Sequence, residues 1–550
     1  MHSGSQDCPS YIPDSLLPTT MQPYFGLRGQ SLNAALVWAV IMPAYLLFGY
    51  YNGVAGGLLD LPEWVKLFPE IATIGVTGAQ KTHNSHIQGT VVALYTLGAL
   101  FGALSCFVIG DILGRRRTIM LGAAVSAVGS ILQCSAFSFP QLIVGRIICG
   151  LGFGAISATA PNWQTECSRA GHRGFVVMLE GLFISGGLVI QAFLNFGLSF
   201  AKGGVTWRFS LALPVLFNLI VFFSVPCWPE SPRWLVKQNR IDEAKHVLAA
   251  LDDVSIDDPH IADEIRAIEI SLEETGQGSF RDIFSNGPSR FANRAFIAAA
   301  TQCFQQMSGI NVLGYYQTTL FQTYLGLDGT TSRILTATVF SWQTLCAPIG
   351  AFTIENVGRR KLMITGAAGM GLCMCLVGAL TSHPENKAAV HGAIAFIYLF
   401  STFFVSGFLG LAFLYSSEIA PLSVRTQITA LSTTSTWLFN FTVVEATPTG
   451  VAQIGFKYFI IYAIINWFLI LPTVYFFFPE TQGLHLESVD RIFLESNSIF
   501  DPVRVARRLR AAAKTDDKGS IMLEGEGDAA VGSPDVQAEK KSDSMEEQPK

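Results

Sequence analysis

Residues 302–311 read Gln302-Cys303-Phe304-Gln305-Gln306-Met307-Ser308-Gly309-Ile310-Asn311 and lie early in an apolar run, from about 295 to 321, that is long enough to cross a lipid bilayer. Hydrocarbon offers no hydrogen bonds, so carboxamides in such a run need polar partners. One explanation is that they bind neighbouring helices together. The other is that they line a wet cavity, where groups that both donate and accept hydrogen bonds suit a ligand made of hydroxyls. The candidates for such a site are Gln302, Gln305, Gln306 and Asn311.

The composition is that of an integral membrane protein. Of the 550 residues, 50% are hydrophobic and only 14% are charged, and the charges concentrate in 233–294, in the C-terminal tail and in short bursts between apolar runs. The net charge of −5 therefore comes from loops and tails and predicts no nucleic-acid partner. The ten cysteines have neither disulfide nor zinc spacing, and no nucleotide-binding loop is present, so neither a metal nor a cofactor is expected.

Twelve apolar runs of about 20 residues predict an all-α membrane protein with twelve transmembrane helices. They lie near residues 35–58, 86–109, 117–137, 140–160, 175–199, 208–227, 295–321, 333–354, 361–380, 391–416, 427–449 and 457–478. An even number of spans places both termini on one side of the membrane. Basic residues cluster in the connections on that side, around residues 115–117, 169–173, 359–361, 425 and 504–510. By the positive-inside rule that side is the cytoplasm.

An internal repeat predicts two pseudo-symmetric halves of six helices each. Three segments recur at nearly the same distance along the chain: 111–117 as 355–361, Glu166 with Arg173 as Glu418 with Arg425, and 229–231 as 479–481. We expect halves at 35–228 and 295–479, joined by a cytoplasmic linker at 229–294 in which 241–251 and 261–272 have amphipathic helical patterns. The tails at 1–34 and 480–550 are predicted to be cytoplasmic, and the second to be largely disordered.

The repeated charges at the helix ends indicate a gate. Acid and base recur together in both halves, as Asp111, Arg115, Glu166, Arg173, Glu355, Arg359, Glu418 and Arg425. Salt bridges between such helix ends can stabilise one conformation, and a conformational change would break them at modest cost where water is near. The alternative is that the arginines only anchor helix ends.

These motifs together resemble those of the sugar porter family of the major facilitator superfamily, and its fungal members in particular. The matching segments are Gln305-Gln306 with Gly309 and Asn311 before Tyr315-Tyr316, Gly-Arg-Arg at 114–116 and 358–360, Gly145-Arg146 with three following glycines, Pro-Glu-Ser-Pro-Arg-Trp-Leu at 229–235 and Pro-Glu-Thr-Gln-Gly-Leu at 479–484. The resemblance runs from the first span to the twelfth. It implies the major facilitator fold, in which two halves rock around a central sugar site.

The resemblance adds residues to the expected site. In the family the span-seven amides contact the sugar, and the further positions correspond here to Glu180, Gln191, Gln343, Trp437 and Asn440. An indole can stack on the apolar face of a pyranose while its N–H stays available. Span ten departs from the family pattern, because Phe413 stands where a tryptophan is frequent. A differently shaped pocket follows, so hexose specificity is not assumed.

Proton coupling stays open. Many proton-coupled relatives carry an aspartate in span one where this chain has Tyr51, and a tyrosine, with its ordinary pKa near 10, is a poor proton carrier at neutral pH. Arg146 nevertheless remains and needs a partner within the bilayer. The helical rise places Tyr51 level with Arg146 and separates Glu180 from it by roughly 13 Å, which disfavours direct pairing. Glu180 either carries a co-transported proton or only accepts hydrogen bonds from the ligand.

The sequence thus predicts a carrier rather than an enzyme. It would move a sugar (a hexose or small oligosaccharide) across the plasma membrane by alternating access, through facilitated diffusion or proton symport. Its partners would be the sugar, protons where transport is coupled, and the lipid bilayer. Two alternatives remain: a carrier of a polyol, quinate-like acid or secondary metabolite, and a non-transporting sugar sensor.

Overall fold

The computed structural model describes residues 23–511 except 60, 74, 75, 77, 169–172, 276–279, 286, 288, 384 and 485. Every regular element in these residues is a helix. Twelve of the helices, here α1 to α12, cross the bundle. The first six are α1 (Gly29–Val54), α2 and α3 (the two arms of Gly78–Cys134), α4 (Phe139–Cys167), α5 (Arg173–Leu198) and α6 (Val205–Ser224).

Gly114 divides the stretch Gly78–Cys134 into two antiparallel helices. Its φ of +81° is one that glycine adopts without steric cost. Gly98 in α2 and Gly129 in α3 both lie against the same turn of α4, since a Cβ on them would come within 2.3 Å of the Ile147 carbonyl oxygen and 2.2 Å of the Cys149 nitrogen. The chain therefore reverses at Gly114, and the stretch contains two spans.

The second half repeats this arrangement with a broken first helix. α7 consists of Phe291–Met307 and Ile310–Tyr324, separated at Gly309, whose φ is +104°. The sequence predicted one uninterrupted run here. The remaining helices are α8 (Gly329–Val357), α9 (Arg359–Thr381), α10 (Lys387–Ile419), α11 (Arg425–Ile454) and α12 (Lys457–Phe477).

Length and composition account for most of these spans directly. Within the described residues, nine helices are long and apolar enough to cross a membrane, and the longest, Gly78–Cys134, holds two spans. The two that do not qualify are α7, which is broken, and α11, which is rich in threonine, serine and amides. The twelve predicted spans are thus present. α2 packs on α11, and α5 packs on α8, so that these pairs join the halves.

Three short helices form the linker between the halves, at Pro232–Lys237, Ile241–Asp252 and Pro259–Thr275. They lie at the end of the bundle where the chain enters α1, because Arg28 donates to the Ala249 carbonyl at 3.2 Å. Lys237 pairs with Asp111 at the α2–α3 turn, 2.9 Å away. We call this end the terminal face and the other end the opposite face.

The chain beyond α12 also folds onto the terminal face. The helix Leu486–Leu494 buries Phe493 and pairs Asp490 with Arg294, whose side chain is 1% exposed. The composition predicts that the tail is largely disordered; within its described part, apolar residues spaced along one face of this helix give it a surface to bury. Residues 512–550 lie outside the described part of the chain.

Candidate functional site

The span-seven amides form one connected hydrogen-bond network. Gln305 donates to the carbonyl oxygens of Phe408 (3.2 Å) and Leu409 (2.8 Å). Gln306 donates to the Gln305 side chain at 2.8 Å, and Asn311 donates to the Gln306 side chain at 2.8 Å. These two carbonyl oxygens can accept from Gln305 because α10 contains a π-helical turn at Val405–Leu409. Such turns are frequent at functional sites.

Asn440 of α11 joins this network from the neighbouring helix. Its Nδ2 donates to the Gln306 Oε1 at 3.0 Å and to the Asn311 Oδ1 at 3.3 Å, whereas its own Oδ1 is buried without a hydrogen bond. One turn towards the terminal face, Gln302 accepts a hydrogen bond from Thr436 of α11 at 2.9 Å. The network therefore has spare acceptor capacity at Asn440.

A cavity of about 40 Å³ lies beside the network. Its polar lining comes from both halves: Asn52 from α1, Gln305, Gln306, Asn311 and Tyr315 from α7, and Gln343 from α8. A water molecule needs roughly 10–15 Å³ of such space, whereas sites for small organic ligands have about 300–1,000 Å³. The cavity is thus contracted in this conformation and has to widen to admit a solute of the size of a sugar.

Asn52 and Tyr315 were not among the site residues predicted from the sequence. The Tyr315 hydroxyl donates to the Asn52 Oδ1 at 2.7 Å and so joins the two halves across the cavity. Asn52 carries the same signal as the other amides, a carboxamide within an apolar run.

Trp437 lies outside the cavity lining and is packed among aromatic rings. Its ring centroid is 5.3 Å from that of Phe48 and 5.9 Å from that of Phe153. Its Nε1 donates to the Ser157 hydroxyl of α4 at 3.1 Å. The indole N–H, expected to be available to a ligand, is therefore bound to the other half in this conformation.

Gln343 and Gln191 take different positions. Gln343 lines the cavity and donates a long hydrogen bond, 3.4 Å, to Ser185 of α5. Gln191 lies closer to the opposite face against Gly53 of α1, where a Cβ would come within 2.6 Å of the Gln191 Oε1. That Oε1 is buried and has no hydrogen-bond partner.

Glu180 is fully buried, and among the described residues neither of its carboxyl oxygens accepts a hydrogen bond of good geometry. The Tyr45 hydroxyl of α1, which is also buried without a hydrogen bond, is close enough to interact with it. The next residue, Gly181, packs against Leu409 and Gly410 of α10. Glu180 therefore lies behind the α10 carbonyls that bind Gln305, next to the amide network but outside the cavity lining.

Tyr51 and Arg146 do not form a pair. The Tyr51 hydroxyl is hydrogen-bonded to Ser126 (3.0 Å), Ser130 (2.8 Å) and Asn218 (2.9 Å) within the first half. Tyr51 is thus part of a buried hydroxyl and amide network that holds α1 against α3 and α6.

Arg146 is 2% exposed, and its Nε has no hydrogen-bond partner. Among the described residues, no carboxylate forms an ion pair with it. The titratable groups close to it are Cys149 and the hydroxyls of Tyr95, Tyr315 and Tyr316. One of these, Tyr315, is the residue that lines the cavity and bonds to α1.

A charge cluster occupies the terminal end of the first half. Arg115 binds Glu166 through two hydrogen bonds, of 3.0 and 3.1 Å, and lies 3.5 Å from Asp111. Its backbone N–H donates to Glu230 at 3.1 Å. Burial raises the pKa of the Glu230 carboxyl above its ordinary value, although the Ser231 N–H and the Arg115 charge act in the opposite direction.

The second half contains the same cluster at the repeated positions. Arg359 pairs with Glu418 at 3.0 Å and with Glu355 at 3.1 Å, and its backbone N–H donates to Glu480 at 2.9 Å. Arg425 donates to the Ala420 carbonyl at 3.3 Å and acts on the charge of Glu166 in the first half. The side chain of Arg173 lies outside the described part of the chain.

Neutral side chains of α11 join the two halves at the terminal face. Gln427 donates to Asp111 at 2.9 Å, and Arg115 donates to Thr426 at 3.0 Å. Asn162 donates to Thr429 at 2.6 Å. These α11 partners could not be predicted from the sequence, because a threonine or glutamine at the start of a helix carries no signal of its own.

The halves are also joined at the opposite face. Thr90 of α2 donates to Glu445 of α11 at 2.8 Å, and Thr449 lies 3.1 Å from the His86 imidazole. The helices cross closely here, since a Cβ on Gly89 would come within 2.8 Å of the Glu445 carbonyl oxygen. With hydrogen bonds between the halves at both faces, neither face has separated.

Known transporters are similar to this chain over most of its length. The family model described as "Sugar (and other) transporter" matches residues 36–493. The MFS-type transporter oryC of Aspergillus oryzae is 34% identical over 507 residues, which cover 90% of this chain and 92% of that protein. The sugar transporter STL1 of Saccharomyces cerevisiae is 35% identical over 494 residues, covering 88% and 86%.

The fold matches a solved structure as well. The proton:xylose symporter XylE from E. coli, a major facilitator superfamily protein determined with 6-bromo-6-deoxy-D-glucose bound, superposes with a TM-score of 0.72 at 22% identity, covering 84% of this chain and 100% of the symporter chain.

Proposed function

Because the chain belongs to the Sugar (and other) transporter family of the major facilitator superfamily, we propose that its central cavity carries a sugar across a membrane. The membership confirms the family and the twelve-helix fold predicted from the motifs. The protein is an integral, multi-pass membrane carrier that works by alternating access. We assign it no catalysed reaction, no cofactor and no nucleic-acid partner.

The observation that carries the proposal is the amide network of Gln305, Gln306, Asn311 and Asn440 beside a cavity lined by both halves. Each of these hydrogen bonds joins two neutral amides and contributes only about 0.5–1.5 kcal/mol net. Hydroxyls of a sugar can therefore replace them as the cavity widens, at little cost. The buried Asn440 Oδ1 provides an acceptor that no group in the described part of the chain uses.

The remaining predicted residues act around this centre in the proposal. Gln343 lines the cavity and Gln302 supports α11 behind it, while Trp437 becomes available when its bond to Ser157 breaks. Gln191 lies on the path towards the opposite face. The bond between Asn52 and Tyr315 must break for that face to open.

Where transport is coupled to protons, we assign the proton to Glu180. Its carboxyl group is fully buried and, among the described residues, forms no ion pair, and burying a charge without a counter-charge costs far more than burying a neutral acid. Tyr51, at the position where relatives carry an acid, is engaged by Ser126, Ser130 and Asn218 and is an unsuitable carrier. Opening of the site to water would allow Glu180 to exchange its proton.

The proposal also places the carrier in the plasma membrane with its terminal face in the cytoplasm. The arginine-rich connections of 115–117 and 359–361 lie at that face, which supports this orientation through the positive-inside rule. We divide the chain into halves at 35–228 and 295–479, a linker at 229–294, and tails at 1–34 and 480–550.

Uptake into proteoliposomes tests whether the protein transports a sugar and whether transport is coupled to protons. Purified protein is assayed with labelled hexoses, pentoses, polyols and hydroxy acids, with and without an imposed pH gradient. We expect saturable uptake of a sugar. Uptake confined to polyols or acids would replace the sugar by another solute, and no flux for any of them would refute the carrier.

The proton assignment is tested with Glu180→Gln and, as a control, Glu445→Gln at the opposite face. We expect an uncoupler to reduce uptake by the wild type and by Glu445→Gln but not by Glu180→Gln. Equal insensitivity of the wild type and Glu180→Gln to the pH gradient would exclude coupling through Glu180.

A further inference from the structure

A second cavity, of about 360 Å³, lies at the terminal face between the first half and the linker helices. Its volume falls within the range of about 300–1,000 Å³ that is usual for small-ligand sites. Arg116 and Arg117 at the start of α3 form one wall, and Trp234, Arg240 and His246 of the linker helices form the other. None of these residues has a part in the transport site.

Arg116 donates one side-chain hydrogen bond, to the Pro226 carbonyl, and the other two arginines of this cavity are exposed. Arg117 is exposed, and within the described residues it makes no ion pair and no side-chain hydrogen bond. Arg240 pairs with Glu243 through two hydrogen bonds, of 2.7 and 2.5 Å, but the two side chains are 45% and 55% exposed, so solvent screens the pair. The remaining acid, Glu230, is occupied by backbone N–H groups, including that of Arg116. The cavity therefore offers guanidinium groups to an incoming anion.

The lining also has an apolar part, at the ends of the membrane-spanning helices. Leu113, Met120 and Val225 contribute to the wall, and Pro226 is exposed at the rim. Phe223, one turn further into the membrane on α6, is 69% exposed on the lipid-facing surface. The cavity thus lies at the level where lipid headgroups meet the helix ends, with basic groups outside and apolar groups towards the hydrocarbon.

We propose that this cavity binds a phospholipid whose headgroup carries phosphomonoester groups, with the phosphates on the arginines and the glycerol end against Leu113, Met120 and Val225. A guanidinium binds a phosphate through two parallel hydrogen bonds, and basic pockets between helix ends are suited to polyphosphorylated headgroups. The bound lipid would bridge α3 and the linker helix Ile241–Asp252, and so fasten the linker to the first half.

The internal repeat supplies a matched control. Arg360 and Lys361 follow Gly358 as Arg116 and Arg117 follow Gly114, and Arg360 donates to the Tyr475 carbonyl as Arg116 donates to that of Pro226. The linker helices that wall the cavity pack on the first half, for instance through Lys237. Lys361 thus has the same charge and depth without contributing to this cavity.

The test is isothermal titration of the full-length protein in detergent micelles with dioctanoyl phosphatidylinositol bisphosphate. We expect binding that Arg117→Gln weakens about fivefold, that Lys361→Gln leaves unchanged, and that Glu243→Gln strengthens by freeing Arg240. Arg117 is exposed, so its substitution should not change the melting temperature, and this is checked by thermal unfolding. The measurement requires no transport activity and is therefore independent of the proposed function.

Four results would overturn the proposal. Equal losses in Arg117→Gln and Lys361→Gln would reduce the effect to general attraction of an anion. Equal binding of dioctanoyl phosphatidylserine would remove the role of the phosphomonoesters. Equal binding of free inositol trisphosphate would identify the ligand as a soluble phosphate rather than a lipid. Absence of binding by the phosphoinositide would refute a phosphorylated lipid as the ligand.

Discussion

The substitution Gln427→Ala should favour separation of the two halves at the terminal face. Gln427 of α11 donates to Asp111 of the first half at 2.9 Å, and Arg115–Thr426 and Asn162–Thr429 are further hydrogen bonds between the halves at this face. The alanine variant removes this bond and leaves every interaction within each half in place. It therefore changes the conformational equilibrium rather than the stability of either half.

The size of the effect follows from the partners of Asp111. A hydrogen bond to a charged group contributes about 1.5–3 kcal/mol. Asp111 keeps Lys237 at 2.9 Å and Arg115 at 3.5 Å after the substitution, so it is not left unpaired and the lower end applies. About 1.5 kcal/mol corresponds to roughly a tenfold rise in the ratio of terminal-open to closed molecules.

Spin-label distance measurements in nanodiscs can detect this change. Labels on cysteines at Asp242 and Lys361, both exposed at the terminal face, report the separation of the linker and the second half after Cys227→Ser removes an exposed native thiol. We expect Gln427→Ala to increase the population at longer distance.

Thr90→Ala is the matched control at the opposite face, because it also removes one bond between a neutral group and a carboxylate, to Glu445 at 2.8 Å. It should decrease the longer-distance population. An unchanged distribution in Gln427→Ala, or a shift of both variants in the same direction, would refute the reasoning.

Three further predictions concern α7 and the tail. Asn311→Ala removes a cavity-lining amide and leaves the Gln306 Oε1 with one donor fewer, so the KM for uptake should rise about tenfold at unchanged expression. An unchanged KM would argue against contact between Asn311 and the ligand. Gly309→Ala places a Cβ on a residue with φ +104°, 2.5 Å from the Met374 Cε, so the free energy of unfolding should fall by about 1–3 kcal/mol, measured by thermal unfolding in detergent. A melting temperature equal to that of the wild type would contradict this backbone strain. Arg294→Ala breaks the largely buried ion pair with Asp490 and should weaken docking of the helix Leu486–Leu494 by about 3 kcal/mol, which is detected as faster proteolysis after α12. Proteolysis at the wild-type rate would mean that this helix docks by its apolar face alone.

The sequence by itself determined the class of the protein and its number of spans. A helix must be about 20 apolar residues long to cross hydrocarbon, so the spans can be counted from local composition. The repeated charges around Arg115 and Arg359 reflect an internal duplication that can be recognised in the sequence. The amides of α7 could be singled out for the same reason, since carboxamides stand out against an apolar background.

Only the tertiary structure decided how these groups are used. Whether Gln306 contacts Asn311 and Asn440, or Gln427 reaches Asp111, depends on the rotation and depth of helices that are far apart in sequence. The break of α7, the docking of the tail helix and the arginine cavity beside the linker likewise need partners from other helices. Composition and periodicity describe one helix at a time, whereas hydrogen bonds and cavities between helices are properties of their packing.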